Sequence, residues 1–234
     1  SSVSISFFEK IQKKYKEKKF FCGYNHRLFP STIKLKNLIK REKLKFCKVS
    51  FKENISGFLN AHKWLKSINE TYLSVTKEGG GALCEHSHAL NLLQFFMDDA
   101  VHTSKRKKFK FIKSKKNIHD IQFSGILSSN ICSGEFDQNF ETFPVEKTVE
   151  IFTNNKIYKL TYNFVNSNDL IEILNLNGDY KRYVFNKNRS DDFLYEAKHL
   201  VQNIKQKKNI KSSIQMENSL VTIKIINKLL KNLI

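Results

Sequence analysis

The 234 residues include 41 Lys and Arg against 22 Asp and Glu, a formal charge of +19, and 40% are apolar. That apolar share excludes a disordered chain, and the length suits one large or two modest domains. No stretch approaches the roughly 18 to 20 apolar residues that span a bilayer, and no signal peptide precedes the first helix, so the expectation is a cytoplasmic protein without a membrane partner.

The first predicted element is a helix over 2–19, with Ser4 as its cap and Phe7, Phe8, Ile11 and Tyr15 at helical intervals. Phe20-Phe21-Cys22-Gly23-Tyr24 reads as a short buried strand. Pro30 then opens a second helix, through Ile33, Leu35, Leu38 and Ile39 to about Lys43. Residues 45–52 alternate as a strand. Residues 54–78 read as an irregular, polar loop that holds the only tryptophan, Trp64, together with His62, Lys63 and Tyr72.

Next comes Gly79-Gly80-Gly81-Ala82-Leu83-Cys84-Glu85-His86-Ser87-His88, the most glycine-dense run in a chain with eight glycines. Glycines lack a Cβ, so the backbone there can take positive φ and approach another surface closely. Leu83, Ala89, Leu90, Leu93 and Phe96 recur at helical intervals, which predicts a helix from about Ala82. On such a helix Glu85 and His88 are three apart and share a face, while His86 projects elsewhere. The pair is either an ordinary buried histidine bonded to a glutamate or a functional site, because paired ionisable groups occur in both settings.

Beyond it, β-like runs at 109–112, 118–127, 148–152, 156–162, 170–174 and 181–185 are separated by turns such as Asn154-Asn155 and Asn177-Gly178-Asp179. Short connections predict antiparallel pairing. Helices over 191–206 and 219–233 close the chain. The residues therefore predict an α+β fold: a leading helix and strand, a connecting helix, then an open, mostly antiparallel β-sheet flanked by helices.

The positive charge is mostly lysine, spread through every segment, in a chain also rich in Asn, Ile and Phe. That is the pattern of AT-rich codons, and it argues against nucleic acid as the partner. Lys105-Arg106-Lys107-Lys108 and Lys113-Ser114-Lys115-Lys116 are read as solvated surface. Cys22, Cys47, Cys84 and Cys132 have no paired spacing, so reduced thiols are expected. A metal site from Cys84, His86, His88 and His62 would need a strand where the pattern gives a helix, so none is assigned.

Four segments resemble a known family. Gly23-Tyr24-Asn25-His26-Arg27-Leu28-Phe29-Pro30 is similar to a G-[YF]-N-x-R-F-x-P segment, and the tri-glycine run to G-G-G-x-L-x-[DE]-x-x-H. Phe193 to Leu200 resembles a Y-x-x-E-x-x-H-F helix start, and the last helix fits in position. Together they resemble the C-terminal part of the glucose-fructose oxidoreductase, inositol dehydrogenase and rhizopine catabolism (Gfo/Idh/MocA) family of NAD(P)-dependent oxidoreductases. Glu85 stands where that family often has Asp, its spacing to His88 is three instead of the common four, and Asn91 replaces a frequent Asp. The E-x-x-H form resembles a subgroup associated with sugars and nucleotide sugars.

The resemblance implies a C-terminal domain related in fold to that of glyceraldehyde-3-phosphate dehydrogenase over 31–234, for substrate binding and oligomerisation. Residues 1–30 would be the final helix and strand of a Rossmann domain whose Gly-rich turn and E-K-P lysine lie before Ser1. On this basis the chain is expected to be a truncated piece of a longer enzyme, inactive alone. The implied reaction is hydride transfer between NAD or NADP and a sugar or nucleotide-sugar hydroxyl. His88 is the implied proton carrier, with Glu85 orienting it or holding a substrate hydroxyl. Asn25 and Arg27 are implied at the cofactor, and Lys63, Trp64, Tyr72 and Asn91 on the sugar side. A homodimer or homotetramer through the sheet face is the implied assembly. The competing view is a non-catalytic sheet domain used in assembly or basic-surface binding of nucleic acid.

Overall fold

The computed structural model describes residues 5–16, 18–113, 117–165, 167–188, 190–205 and 212–233. Ser4 as a helix cap, part of the second lysine run and the last residue of the 191–206 helix lie outside them. Helix α1 (Ile5–Lys14) leads, followed by α2 (Pro30–Leu38), strand β1 (Leu44–Lys52) and α3 (Ile55–Ala61). Helices α4 (Ala82–Glu85) and α5 (Ser87–Phe96) precede seven strands: β2 (Val101–Lys113), β3 (Ile118–Ser129), β4 (Ser133–Asn139), β5 (Glu146–Thr153), β6 (Lys156–Val165), β7 (Asn168–Asn175) and β8 (Tyr180–Phe185). Helices α6 (Asp191–Lys205) and α7 (Met216–Leu230) end the described chain.

The strands form one eight-stranded open sheet in the order β2-β3-β4-β1-β5-β6-β7-β8. Every pair is antiparallel except β1 with β4, where Phe46 to Lys52 run parallel to Ser133 to Asn139. The α+β architecture expected from the sequence is therefore present. Alternation decides what lies on each face. Cys47, Val49, Phe51, Val149, Ile151, Tyr158, Leu160, Ile171 and Ile173 point to one side, where they form a continuous core with Leu35 of α2, Leu90 and Leu93 of α5 and Ile226 of α7. Lys48, Glu150, Lys159, Glu172 and Arg182 point to the other side and stay half-exposed or exposed.

Two expected elements are corrected. Phe20 to Tyr24 form no strand: among the described residues only Phe21 makes an isolated bridge, to Gln215, and the run has no ladder partner there. The helix expected from Ala82 is interrupted at His86, whose φ of −90° and ψ of 22° separate α4 from α5. In addition, the lysine run at 105–108 is exposed as expected but lies inside β2, and the loop at 54–78 contains α3 and three short 3-10 turns. The β4 segment was not recognisable from its composition.

Candidate active site

The tri-glycine turn positions the site, and each glycine has its own reason. Gly79 and Gly81 have φ of 92° and 91°, conformations that favour glycine. A Cβ on Gly80 would collide with the carbonyl oxygens of Tyr72 and Leu73, and one on Gly81 with the Asp120 carboxylate. Asp120, fully buried on β3, accepts the Leu83 amide at 2.7 Å and so caps α4 from across the fold. Burial pushes its carboxyl up to about 7, against the amides of Leu83 and Ala82 that favour the charged form.

At the joint between α4 and α5, the Gln138 side chain donates to the His86 carbonyl. The His86 ring meets Phe140 edge-on at 5.2 Å, and its Nε2 lies 3.9 Å from Glu53. Burial pushes this imidazole down to about 4, more than the Glu53 carboxylate can raise it.

The break redirects the expected Glu85–His88 pair. Glu85 accepts a hydrogen bond from the Tyr72 hydroxyl at 2.7 Å, not from His88. His88 instead faces His26, with the two Nδ1 atoms 3.2 Å apart. Only one hydrogen can lie between two such nitrogens, so one ring donates and the other accepts, which requires at least one neutral imidazole. Burial pushes His88 down to about 4, helped by the positive Lys147 and by His86. His26 is held well below its ordinary range by burial, then by His88, Lys147 and Lys187. Its ring packs among Phe29 at 4.7 Å, Phe51 at 5.0 Å and Tyr162 at 5.2 Å. Both histidines are thus neutral near pH 7. His26 occupies a variable position of the motif, so no sequence signal marked it.

Tyr24 connects this pair to an open cavity. Its ring stands edge-on to His88 at 5.3 Å, and its hydroxyl donates to Ser87 at 3.3 Å. The cavity, about 460 Å³, is lined by Tyr24, Tyr72, Gly79, Cys84, Glu85 and Ser87, with Ile223 and Ile226 of α7. Glu85 and Tyr72 therefore share a wall, and His88 lies behind Tyr24.

The remaining expected site residues fall elsewhere. Arg27 is 1% exposed and every guanidinium N–H is used inside the chain. Nε donates to Asn91 Oδ1 at 2.5 Å, the two terminal nitrogens bridge Asp99 at 3.0 and 2.8 Å, and the Ser213 and Asn91 carbonyls take the rest. Asn91 in turn donates to Thr222, which donates to Gln94. With no donor left for a cofactor, Arg27 is an internal brace joining the turn at 25–28 to α5 and the segment before α7, and Asn91 is part of it. Asn25 differs: among the described residues its buried Oδ1 has no hydrogen-bond partner. Lys63 and Trp64 sit on an exposed turn after α3, where Trp64, 74% exposed, meets His62, itself stacked on Phe58. Among the described residues no hydrogen bond or ring contact joins them to Glu85 or His88.

No protein-family model matches this sequence, and no curated protein matches it. Solved structures match it in fold. An NAD binding oxidoreductase from Klebsiella pneumoniae is 13% identical with a TM-score of 0.73, covering 97% of this chain and 68% of its own. A 3-ketoreductase from Actinomadura kijaniata, in complex with NADP and TDP-benzene, is 10% identical with a TM-score of 0.74, covering 97% and 67%. A UDP-N-acetylglucosamine 3-dehydrogenase from Acidithiobacillus ferrooxidans is 8% identical with a TM-score of 0.69, covering 96% and 64%. The chain spans about two thirds of the length of these structures. At such identities the likeness is one of fold: the sheet and helices are arranged as in NAD(P)-dependent oxidoreductases of the Gfo/Idh/MocA type, as the motifs implied.

Proposed function

We propose that this chain is the substrate-side part of an NAD(P)-dependent oxidoreductase acting on a sugar or nucleotide sugar, with His88 as proton carrier. The observation that carries this reading is the contact between two neutral, half-buried imidazoles beside a cavity whose wall holds Glu85 and Tyr72. The relatives in fold are an NADP-bound ketoreductase and a nucleotide-sugar dehydrogenase, which supports the substrate class.

A neutral imidazole can take a proton from a hydroxyl that is being oxidised. If His88 Nδ1–H donates to His26, the His88 Nε2 lone pair is free to act as that base. The proton gained at Nε2 is then balanced by movement of the Nδ1 proton towards His26, so the charge is shared between two rings. Glu85, held by the Tyr72 hydroxyl, is placed to accept from a second sugar hydroxyl. A nicotinamide, when bound, supplies the carbon that accepts the hydride. Asn25 Oδ1, buried and without a hydrogen-bond partner among the described residues, is a suitable acceptor for its carboxamide. Residues 1–30 would belong to the dinucleotide domain and 31–234 to the substrate domain.

The test is oxidation of UDP- and TDP-sugars with NAD or NADP by this chain joined to a dinucleotide-binding half. His88→Asn is expected to lower kcat by about 10² to 10⁴ with KM little changed, the range for loss of a positioned acid–base group. The chain alone is expected to turn nothing over. An unchanged kcat in His88→Asn would sink the assignment.

A further inference from the structure

The four cysteines are far apart in sequence, yet the fold brings two of them together. Cys47 on β1 and Cys132, at the turn that leads into β4, have their Sγ atoms 3.8 Å apart. Cys22 and Cys84 make no sulfur contact with another cysteine among the described residues. Register explains the contact. Gly134, two residues after Cys132, is the direct parallel partner of Cys47, so all three positions share the core face of the sheet. A Cβ on Gly134 would collide with Leu93 and with the Cys47 carbonyl. The two thiols therefore meet on the diagonal, past a position that carries no side chain.

The two sulfurs are not equivalent. Cys47 is fully buried and paired on both sides, by β4 and β5, whereas Cys132 is 9% exposed. Ile131 beside it lines an open cavity of about 370 Å³ with Lys36, Leu44, Phe96 and Asp98. The Cys47 thiol donates to Cys132 and holds that sulfur below the ordinary thiol range against its burial; the Lys36 ammonium adds to this, opposed by Asp98. The same contact, then burial, pushes Cys47 up. Thiolate character and access thus fall on Cys132, and a second thiol stands in contact behind it, as in redox-sensing pairs.

We propose that Cys132 and Cys47 form a reversible disulfide when the protein meets a peroxide, Cys132 attacking first and Cys47 resolving the product. In the first step the Cys132 thiolate bonds to one peroxide oxygen as the O–O bond breaks. The sulfur is oxidised to a sulfenic acid, and the departing hydroxide takes a proton from solvent to become water. In the second step the Cys47 sulfur bonds to Cys132 as the S–O bond breaks, and hydroxide leaves with the Cys47 proton as a second water. Two thiols and one peroxide thus give one disulfide and two waters. The sulfurs must close from 3.8 Å to about 2.05 Å. Cys132 can supply that movement, because it ends the turn at 129–132, where its carbonyl accepts from the Ser129 amide, while Cys47 is fixed inside two ladders. A bond closed on the diagonal of a sheet is strained and therefore easily reduced, which suits a reversible mark and not a permanent staple.

The test treats the folded 234-residue chain with a small excess of hydrogen peroxide and counts thiols after unfolding. Two of the four thiols should be lost, and the mass should fall by that of two hydrogen atoms. Proteolysis should release one pair of peptides joined through Cys47 and Cys132, and dithiothreitol should restore both thiols. In Cys47→Ser the sulfenic acid at Cys132 should persist and react with dimedone. In Cys132→Ser, labelling at Cys47 should be slower by about tenfold or more, since that thiol lacks both access and thiolate character. The same treatment in urea should give no preference for this pair. Thermal unfolding checks that each variant folds, and the corresponding alanine variant replaces one that does not. The proposal is overturned if both thiols survive the treatment, if Cys22 or Cys84 enters the bridge, if the pair forms as readily in urea, if oxidation runs to a sulfinic acid without a bridge, or if the two single variants label equally.

Discussion

His86 makes the cleanest quantitative case, because it is 4% exposed and its surroundings are fully described. Its ring faces Phe140, the Asn139 carbonyl, the Glu53 carboxylate and the more distant Lys147, and burial holds its protonation near 4 against an ordinary 6.5. A histidine depressed in the folded state contributes stability above its unfolded value, and that contribution is lost as pH falls towards the folded one. At about 1.4 kcal/mol per pH unit, the gap between 6.5 and about 4 sets a ceiling of roughly 3 kcal/mol, of which roughly 2 is already lost at about pH 5. The perturbation is His86→Gln, which keeps a donor for Asn139 and cannot titrate. Urea unfolding of both proteins, from about pH 7.5 to about pH 5, should show wild type losing roughly 2 kcal/mol relative to the variant. Other titrating groups cancel in that difference. A difference that stays flat with pH to within about 0.5 kcal/mol would refute the reasoning, whatever the variant costs at neutral pH.

Two other substitutions probe the frame of the site. Gly81→Ala places a Cβ against Asp120 on a backbone with φ of 91°, so a loss of roughly 2 to 4 kcal/mol is expected by chemical denaturation. Arg27→Met strands the Asp99 carboxylate and should cost roughly 3 to 5 kcal/mol, while adding Asp99→Asn, which tolerates the positive φ of 55° there, should recover part of it. Equal stability of single and double variants would mean that Asp99 is already hydrated in the folded protein.

Much of the architecture was legible because the relevant signals are local. Val149 and Ile151, or Leu160 and Tyr162, alternate with polar neighbours, and α6 and α7 carry aliphatic stripes at helical spacing. Strand β4 escaped because Ser-Gly-Glu-Phe-Asp-Gln-Asn has low strand propensity and is held by pairing with β1 and β3. The full extent of β2 escaped because most of its residues are exposed on both sides and three register shifts interrupt its pairing with β3. At the site, the tri-glycine turn was readable, but the partner of His88 was not: a helix run through His86 would set Glu85 beside it, whereas the break gives Glu85 to Tyr72. Arg27 was conspicuous in sequence for a motif, yet its surroundings come from Asp99 and Ser213, which no local pattern links to it.

The place of β1 in the middle of the sheet has a consequence for how the protein is made. Synthesis completes Leu44–Lys52 well before either of its sheet neighbours: the parallel one begins about 80 residues later at Ser133 and the antiparallel one at Glu146. The strand that ends up most enclosed thus waits longest, with the N–H and C=O groups of both edges unpaired while α3, α4, α5, β2 and β3 leave the ribosome. Pairing over such separations is slow, and an apolar strand with two open edges is a template for the wrong neighbour. A nascent chain stalled before Ser133 would hold its future centre without either flank, so the demand for chaperone protection should fall only once Thr153 has emerged.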